Sequence, residues 1–405
     1  MNDTTQSAYG YSFLLLGSIV LGGLAGYFFA ADCHYLKPIG DVFINLILTA
    51  IVPLLFFSIT LAIAKISQEG RLAKIMSAML FVFVLTGVIA ALSALIIVFY
   101  CLPINQSIQI LPLVQDPMAA RSVSDIATLF TVPEFGQLFT HKHMLALIVF
   151  SILLGLAVNK TDKATQAVLL RGLQIGEILF TRVVDVIMYL APLGFFSYFA
   201  VLISELGPQL VTHYLHITGL YYGFGLIYFI IGSTCFAYLA AGKKGIRAYW
   251  QQISLPALTA LATCSSAACI PSNIQAVKAM GVSDAVADAL IPIGSLTHKI
   301  GSVIGGLFKI AFLFGLYHLD FSGLSVLIMA IGVSLLVGTV MGAIPGGGML
   351  GEMLILTVYG FPSSVLITIA AISILIDPLA TMLNVTGNSY SSMLVSRLIY
   401  GKSPG

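Results

Sequence analysis

Few side chains in this sequence can carry charge, and several of them stand inside long apolar runs. His298 and Lys299 sit side by side in the run 290–317, and Lys309 follows in the same run. Glu352 comes just after a Pro-Gly-Gly-Gly turn at 345–348, and Asp377 precedes Pro378 in another apolar segment. Charged groups at membrane depth are costly and usually mark a solute or ion path. Asp377 is therefore the leading candidate for a functional residue. Lys299 reads as a pathway residue or as a structural partner of Asp377 or Glu352. His298 reads as a proton carrier or as a donor to a carbonyl. Glu352 reads as a proton carrier or a solvated loop carboxylate, and Lys309 as a snorkelling side chain or one facing a partner. The tip Ser265-Ser266 suits binding of a polar solute, and the glycine-rich turn suits a gate. Arg182 and Asp185 lie three apart on one helical face and read as a structural pair. No His, Cys or Glu cluster has metal spacing and no acid/base constellation is evident, so no enzyme, metal or cofactor is expected.

The elements that hold these residues follow from composition. Of 405 residues, 59% are hydrophobic and 8% charged, with mean hydropathy +1.04, whereas soluble domains carry about 25% charged residues. Lipid must be the solvent for much of the chain. The net charge of +2 offers nothing to a nucleic acid, and the five cysteines read as small core residues without paired spacing. Apolar runs at 11–31, 39–63, 75–102, 144–158, 175–203 and 217–241 predict spans, with 103–143 an exposed connection. The polar, acidic N-terminus lacks the basic region of a cleavable signal, so the first span is retained. With that terminus inside, most loop lysines and arginines fall on the cytoplasmic side, and Lys37, Arg121 and Lys142 fall outside.

After Trp250 the apolar runs become interrupted. The segment 255–263 is too short to cross and meets Cys264, Ser265, Ser266 and Pro271; a second break at 343–348 separates arms 324–342 and 349–359. Each hairpin precedes a span that itself reads as broken, at 297–302 and at 384–388. Hairpin plus broken helix thus occurs twice in opposite orientation, the pattern of a secondary transporter with inverted repeats.

At these residues the sequence resembles the dicarboxylate/amino acid:cation symporter family, which includes the glutamate and aspartate transporters. The resemblance is carried by 265–271 and 278–283 in the first hairpin, 344–348 in the second, 381–387 in the last helix and 186–195 in the fifth. It implies an all-α polytopic fold of eight transmembrane helices plus two re-entrant hairpins. It also implies a homotrimer with 1–74 and 103–210 mainly scaffold, and 75–102 and 211–405 mainly a transport unit moving as an elevator. By the same resemblance, Ser265, Ser266, Ser302, Ile344, Gly348, Asp377, Ala380, Thr381 and Asn384 fall at substrate positions. Thr86, His298, Lys299, Glu352 and Asn388 are the coupling candidates.

The departures are specific. The family's Asn-Met-Asp-Gly-Thr is here His298-Lys299-Ile300-Gly301-Ser302, so Ile300 stands for a sodium-binding aspartate. Asn388 stands for the second such aspartate, and Gly87 for a serine beside the sodium ligand Thr86. Sodium needs oxygen ligands and a compensating charge, so a proton or no ion is expected in its place. Ala380 and Cys264 occupy positions where the family carries arginine, which argues against the usual reading of an acidic side chain. The expectation is a secondary transporter of a small amino acid or carboxylate, without the family's usual sodium coupling. The alternatives are a C4-dicarboxylate or acidic amino acid:cation symporter, and a non-transporting receptor or scaffold. The expected setting is a cell membrane, the inner one in a bacterium, with both termini cytoplasmic.

Overall fold

Apolar runs without internal polar breaks fold into helices because only an α-helix satisfies its own backbone in lipid. The computed structural model describes residues 2–29, 32–65, 70–101, 131–140, 143–206, 209–340 and 347–401, and among these it is helical almost throughout. Helix α1 (Asn2–Phe28) begins nearer the N-terminus than the expected 11, and α2 (Lys37–Ala64), α3 (Gly70–Cys101) and α4 (Met144–Val158) lie over the expected runs. The expected single run 175–203 is instead two helices, α5 (Lys163–Met188) and α6 (Ala191–Leu206), bent by 56°. Pro192 explains the break: it has no N–H to continue the preceding ladder, and it fits in a first turn.

Helix α7 (Gln209–Ile227) passes through a π-turn at Tyr228–Gly232 into α8 (Ser233–Gln252). Within α8 the chain kinks at Gly242, whose φ of +62° favours glycine. Next come two ten-residue helices, α9 (Ser254–Thr263) and α10 (Ile270–Ala279), each only about 15 Å long and too short to cross. Then follow α11 (Asp284–Thr297), α12 (Ile300–Leu316), α13 (Leu324–Val340), α14 (Gly347–Tyr359) and α15 (Leu366–Tyr400). The second hairpin tip, with Ile344, lies outside the described residues. Five helices are long and apolar enough to cross a membrane among the described residues, or six with the bent pair as one span.

The break expected at 384–388 is absent: α15 is one continuous helix over 35 residues. Polar side chains along this stretch return to their own helix or reach neighbours. Thr386 donates to the Met382 carbonyl at 2.7 Å, and Ser392 to that of Asn388 at 2.8 Å. Two of the five cysteines also depart from expectation. Cys101 and Cys235 are exposed on helix surfaces, and none of the five is in a disulfide.

Helix α1 lies along α6, and α2 packs against α4, α5 and α6. Helix α15 is the axis of the other group, touching α3, α7, α8, α9, α11, α12 and α14. The span from Asp284 to Leu316 is 94% buried over its most apolar stretch, so protein and not lipid surrounds it. Outside the apolar region, Lys278 at the end of α10 reaches Asp284 at 3.1 Å and Asp288 at 2.9 Å, which hold its ammonium charged to higher pH than usual.

The α1–α6 contact depends on missing side chains. A Cβ on Gly22 would sit 2.4 Å from the Phe196 carbonyl oxygen, and one on Gly26 would sit 2.3 Å from that of Ala200, whereas one on Gly17 would meet nothing within 4 Å. Gly22→Leu is therefore expected to cost at least about 1–3 kcal/mol, because backbone and not a flexible side chain must move. Gly17→Leu should be close to neutral. Thermal unfolding of the two variants in detergent, side by side, checks the difference.

Candidate functional site

Between α11 and α12 two residues leave helical geometry, His298 (φ −126°, ψ 99°) and Lys299 (φ −129°, ψ 82°). The interruption expected over 297–302 is thus confined to these two. Starting a helix at this depth exposes backbone amides that lipid cannot satisfy. Asn384 on α15 supplies the acceptor: its Oδ1 takes the Gly301 amide at 2.8 Å and the Ser302 amide at 3.3 Å. Its Nδ2 donates to Ser302 Oγ at 3.3 Å, a long contact that leaves this amide the more available half.

Gly301 permits the close approach that this requires. A Cβ there would lie 2.3 Å from the Ala380 carbonyl oxygen and 2.6 Å from Ala380 Cα. From the other side, Tyr221 Oη donates to the Gly301 carbonyl at 2.9 Å. Ile300 is wholly buried, and its Cδ1 sits against Gly387. Positions 380, 384 and 387–388 of α15 share one helical face, and the break docks along it.

His298 completes the docking. One ring nitrogen, Nε2, is 2.9 Å from Thr86 Oγ1 of α3, and Nδ1 is 2.8 Å from Asn388 Oδ1 of α15. The ring stacks on Phe83, with centroids 4.0 Å apart and planes 6° apart. A Cβ on Gly294 would fall 2.5 Å from Asn388 Oδ1, so glycine leaves room for this amide. Thr86 has one hydroxyl proton and three acceptors for it, Nε2, the Val82 carbonyl at 2.8 Å and the Phe83 carbonyl at 3.3 Å. With Nδ1–H donating to Asn388, a neutral ring accepts the Thr86 proton at Nε2. A charged ring would donate to Thr86, which would turn its own proton to Val82. Both protonation states keep their hydrogen bonds.

Asp377 is exposed although α15 is mostly buried around it, so its carboxylate is accessible among buried neighbours. Thr381 Oγ1 donates to it at 3.3 Å. Lys299, Tyr221, Tyr222 and Cys264 all lie within range of its charge, which brings the helix break, α7 and the first hairpin tip to one place. Pro378 cannot donate to the Ile374 carbonyl, and in the same turn Tyr222 Oη donates to the Leu375 carbonyl at 3.1 Å.

The tip is tightly wound. Cys264 is left-handed (φ 49°), an unusual conformation for a residue other than glycine. Ser265 Oγ accepts from the Ala268 amide at 3.3 Å, and Ser266 is buried. Asn273 of α10 ties the hairpin to α15, donating to the Val385 carbonyl at 3.0 Å and accepting from Ser389 Oγ at 2.6 Å.

A second charged pair meets at Ser373, one helical turn before Asp377 on α15. Lys309 Nζ donates to Glu352 Oε1 at 2.6 Å and to Ser373 Oγ at 2.8 Å, and Ser373 also contacts Oε1. Glu352 is fully buried in α14 and Lys309 nearly so. This corrects the readings of Glu352 as a solvated loop carboxylate and of Lys309 as snorkelling: both are interior because α12, α14 and α15 meet there. Glu352 accordingly does not join Thr86, His298, Lys299 and Asn388. Gly348 is in the first turn of α14.

A model of the sodium:dicarboxylate symporter family matches residues 12–398. The chain belongs to that family. A proton/sodium-glutamate symport protein of Bacillus subtilis is 25% identical over 95% of this chain and 90% of its own length. A C4-dicarboxylate transport protein of Mesorhizobium japonicum is 23% identical over 95% and 81% respectively. A serine/threonine transporter of Acinetobacter baylyi is 24% identical over 93% of each chain. In this member of the sodium:dicarboxylate symporter family, Ser302, Asp377, Ala380, Thr381 and Asn384 cluster where α12 begins beside α15. Sequence reasoning missed Tyr221, Tyr222, Phe83, Asn273 and Ser373, whose types alone do not distinguish them from packing residues. Arg182 and Asp185 do pair, at 3.3 Å on an exposed face.

Asn384→Ala removes the acceptor of two buried amides, which costs about 1–3 kcal/mol per unsatisfied group. The variant is expected to unfold at lower temperature. Thr339→Ala, which deletes an exposed hydroxyl bonded to its own helix, should leave the unfolding temperature unchanged. Thermal unfolding of the two variants in detergent decides this.

Proposed function

We propose that this protein carries a small neutral amino acid across the membrane by an elevator motion, without sodium coupling. The observation that carries the reading is the placement of Asp377. Its carboxylate is accessible among buried neighbours, with the Lys299 ammonium within electrostatic range and the amide of Asn384 two turns along the same helix. A zwitterion has the complementary pattern, its ammonium toward Asp377 and its carboxylate toward Lys299 and the Asn384 Nδ2. Ala380 and Cys264 supply no guanidinium, and a solute with an acidic side chain gains no bidentate partner there. The serine/threonine specificity in the name of the Acinetobacter relative agrees with a neutral side chain.

Lys299 and His298 take the part that a dissolved cation plays elsewhere in the family. Where the family's first sodium aspartate stands, Ile300 presents an apolar side chain packed on Gly387. Asn388, at the second, gives its oxygen to His298. The eight-span architecture with two hairpins, the trimer and the moving unit of 75–102 and 211–405 belong to this proposal, supported by the family match and by the packing around α15. A second reading, carriage of a C4-dicarboxylate, is favoured by the cationic Lys299 and by the Mesorhizobium relative.

Uptake into proteoliposomes separates the two. Serine or alanine is expected to compete at least about tenfold better than aspartate or succinate, a difference of about 1.4 kcal/mol in binding. Asp377→Asn is expected to abolish amino acid uptake while the protein stays folded. Preferential inhibition by succinate, with full activity in Asp377→Asn, would favour the dicarboxylate reading instead.

A further inference from the structure

Beyond the substrate-facing pair, the structure buries a second pair that the proposed mechanism does not use. Among the described residues, the buried charged side chains are Lys299, Lys309 and Glu352, with Asp377 accessible beside them. Ser373, which accepts from Lys309, is one helical turn from Asp377 on the same face of α15. Asp377 interacts electrostatically with Lys299, Lys309 and Glu352, so the four charges form one connected group drawn from the helix break, α12, α14 and α15. The signs alternate and cancel. His298, bonded to the neutral Thr86 and Asn388, adds no charge as the neutral ring. Tyr221 and Tyr222 are neutral phenols.

A buried ion pair is a poor way to gain stability, because an apolar pair of similar volume does as well or better. Glu352 Oε2 has no hydrogen-bond partner, and Lys309 with Ser373 supplies what the carboxylate receives. Breaking such a pair leaves a net charge in the interior. A net charge that travels with the substrate site makes each stroke sensitive to the membrane potential. Pairing removes that sensitivity.

We propose that the Lys309–Glu352 pair is a charge balance for the moving core, and that the protein carries its substrate as a net-neutral zwitterion in steps insensitive to membrane potential. The inference rests on the amino acid carrier reading and adds the substrate's charge class and the electrical character of the cycle. A zwitterion exchanges ionic partners with Lys299 and Asp377 without altering the sum. A dicarboxylate would bring two negative charges and an acidic amino acid one.

The test measures flux and current on the same proteoliposomes at fixed, equal pH. Initial uptake of radiolabelled serine or alanine is followed at inside-negative, zero and inside-positive potentials set by potassium gradients and valinomycin. Substrate-evoked currents are recorded on a solid-supported membrane. In the parent protein the rate should change by less than about twofold across these potentials, with no substrate-evoked current. Glu352→Gln leaves Lys309 uncompensated and should make the rate vary by several-fold or introduce a transient current. Lys309→Met with Glu352→Gln removes both charges and should restore the flat response, which also covers the case in which the single variant does not fold. Uptake by the parent with a sustained current, or a double variant that folds but responds steeply to potential, would overturn the charge-balance inference and leave the carrier reading standing. Absence of uptake of any amino acid by folded parent protein would overturn both.

Discussion

A helix that starts in the middle of a membrane must find acceptors for its first amides within the protein. Here that requirement falls on the side-chain Oδ1 of Asn384, which takes the amides of Gly301 and Ser302. Gly301 has to be glycine for α12 to come close enough, since any Cβ would overlap the Ala380 backbone. The same docking turns His298 toward Thr86 and Asn388, and sets Lys299 within electrostatic range of Asp377. Three elements of the site are thus consequences of one backbone interruption. Tyr221 closes it from α7, and the first hairpin is held to α15 through Asn273.

A site built on carboxylates needs a cation from solution to fill it. Around the break this chain has apolar contact at Ile300 and a hydrogen-bonded amide at Asn388, and it carries buried ammonium groups of its own. Each tethered cation comes with an anion in reach: Asp377 for Lys299, and Glu352 for Lys309. Neutrality in a low-dielectric interior is the common constraint, because an unpaired buried charge costs several kcal/mol.

How far this was legible in the sequence depended on whether the signal was local. The membrane class and most helix limits follow from apolar run length, and the break at His298-Lys299 from polar residues within such a run. The same reasoning failed at 384–388, where Asn, Thr and Gly do not interrupt α15. Polar residues inside an apolar run can equally serve a neighbouring helix, as Asn384 does, and only the fold shows which. The 56° bend between α5 and α6 falls at Pro192, inside a run whose apolar character continues unbroken across it. The pairing of Lys309 with Glu352 spans 43 positions of sequence, and no spacing rule reaches that far. Tyr221 and Tyr222 look like ordinary packing residues until α7 is placed beside Asp377.

We propose that the chain's own cationic residues stand where dissolved sodium would otherwise be needed. The most direct measurement is the affinity of the purified protein for its amino acid, by titration calorimetry, in sodium chloride and in choline chloride at the same pH and ionic strength. The account predicts dissociation constants within about twofold of each other, under about 0.5 kcal/mol. A weakening of about tenfold or more in choline would contradict it, because sodium would then be part of the site that Lys299 and His298 are held to complete.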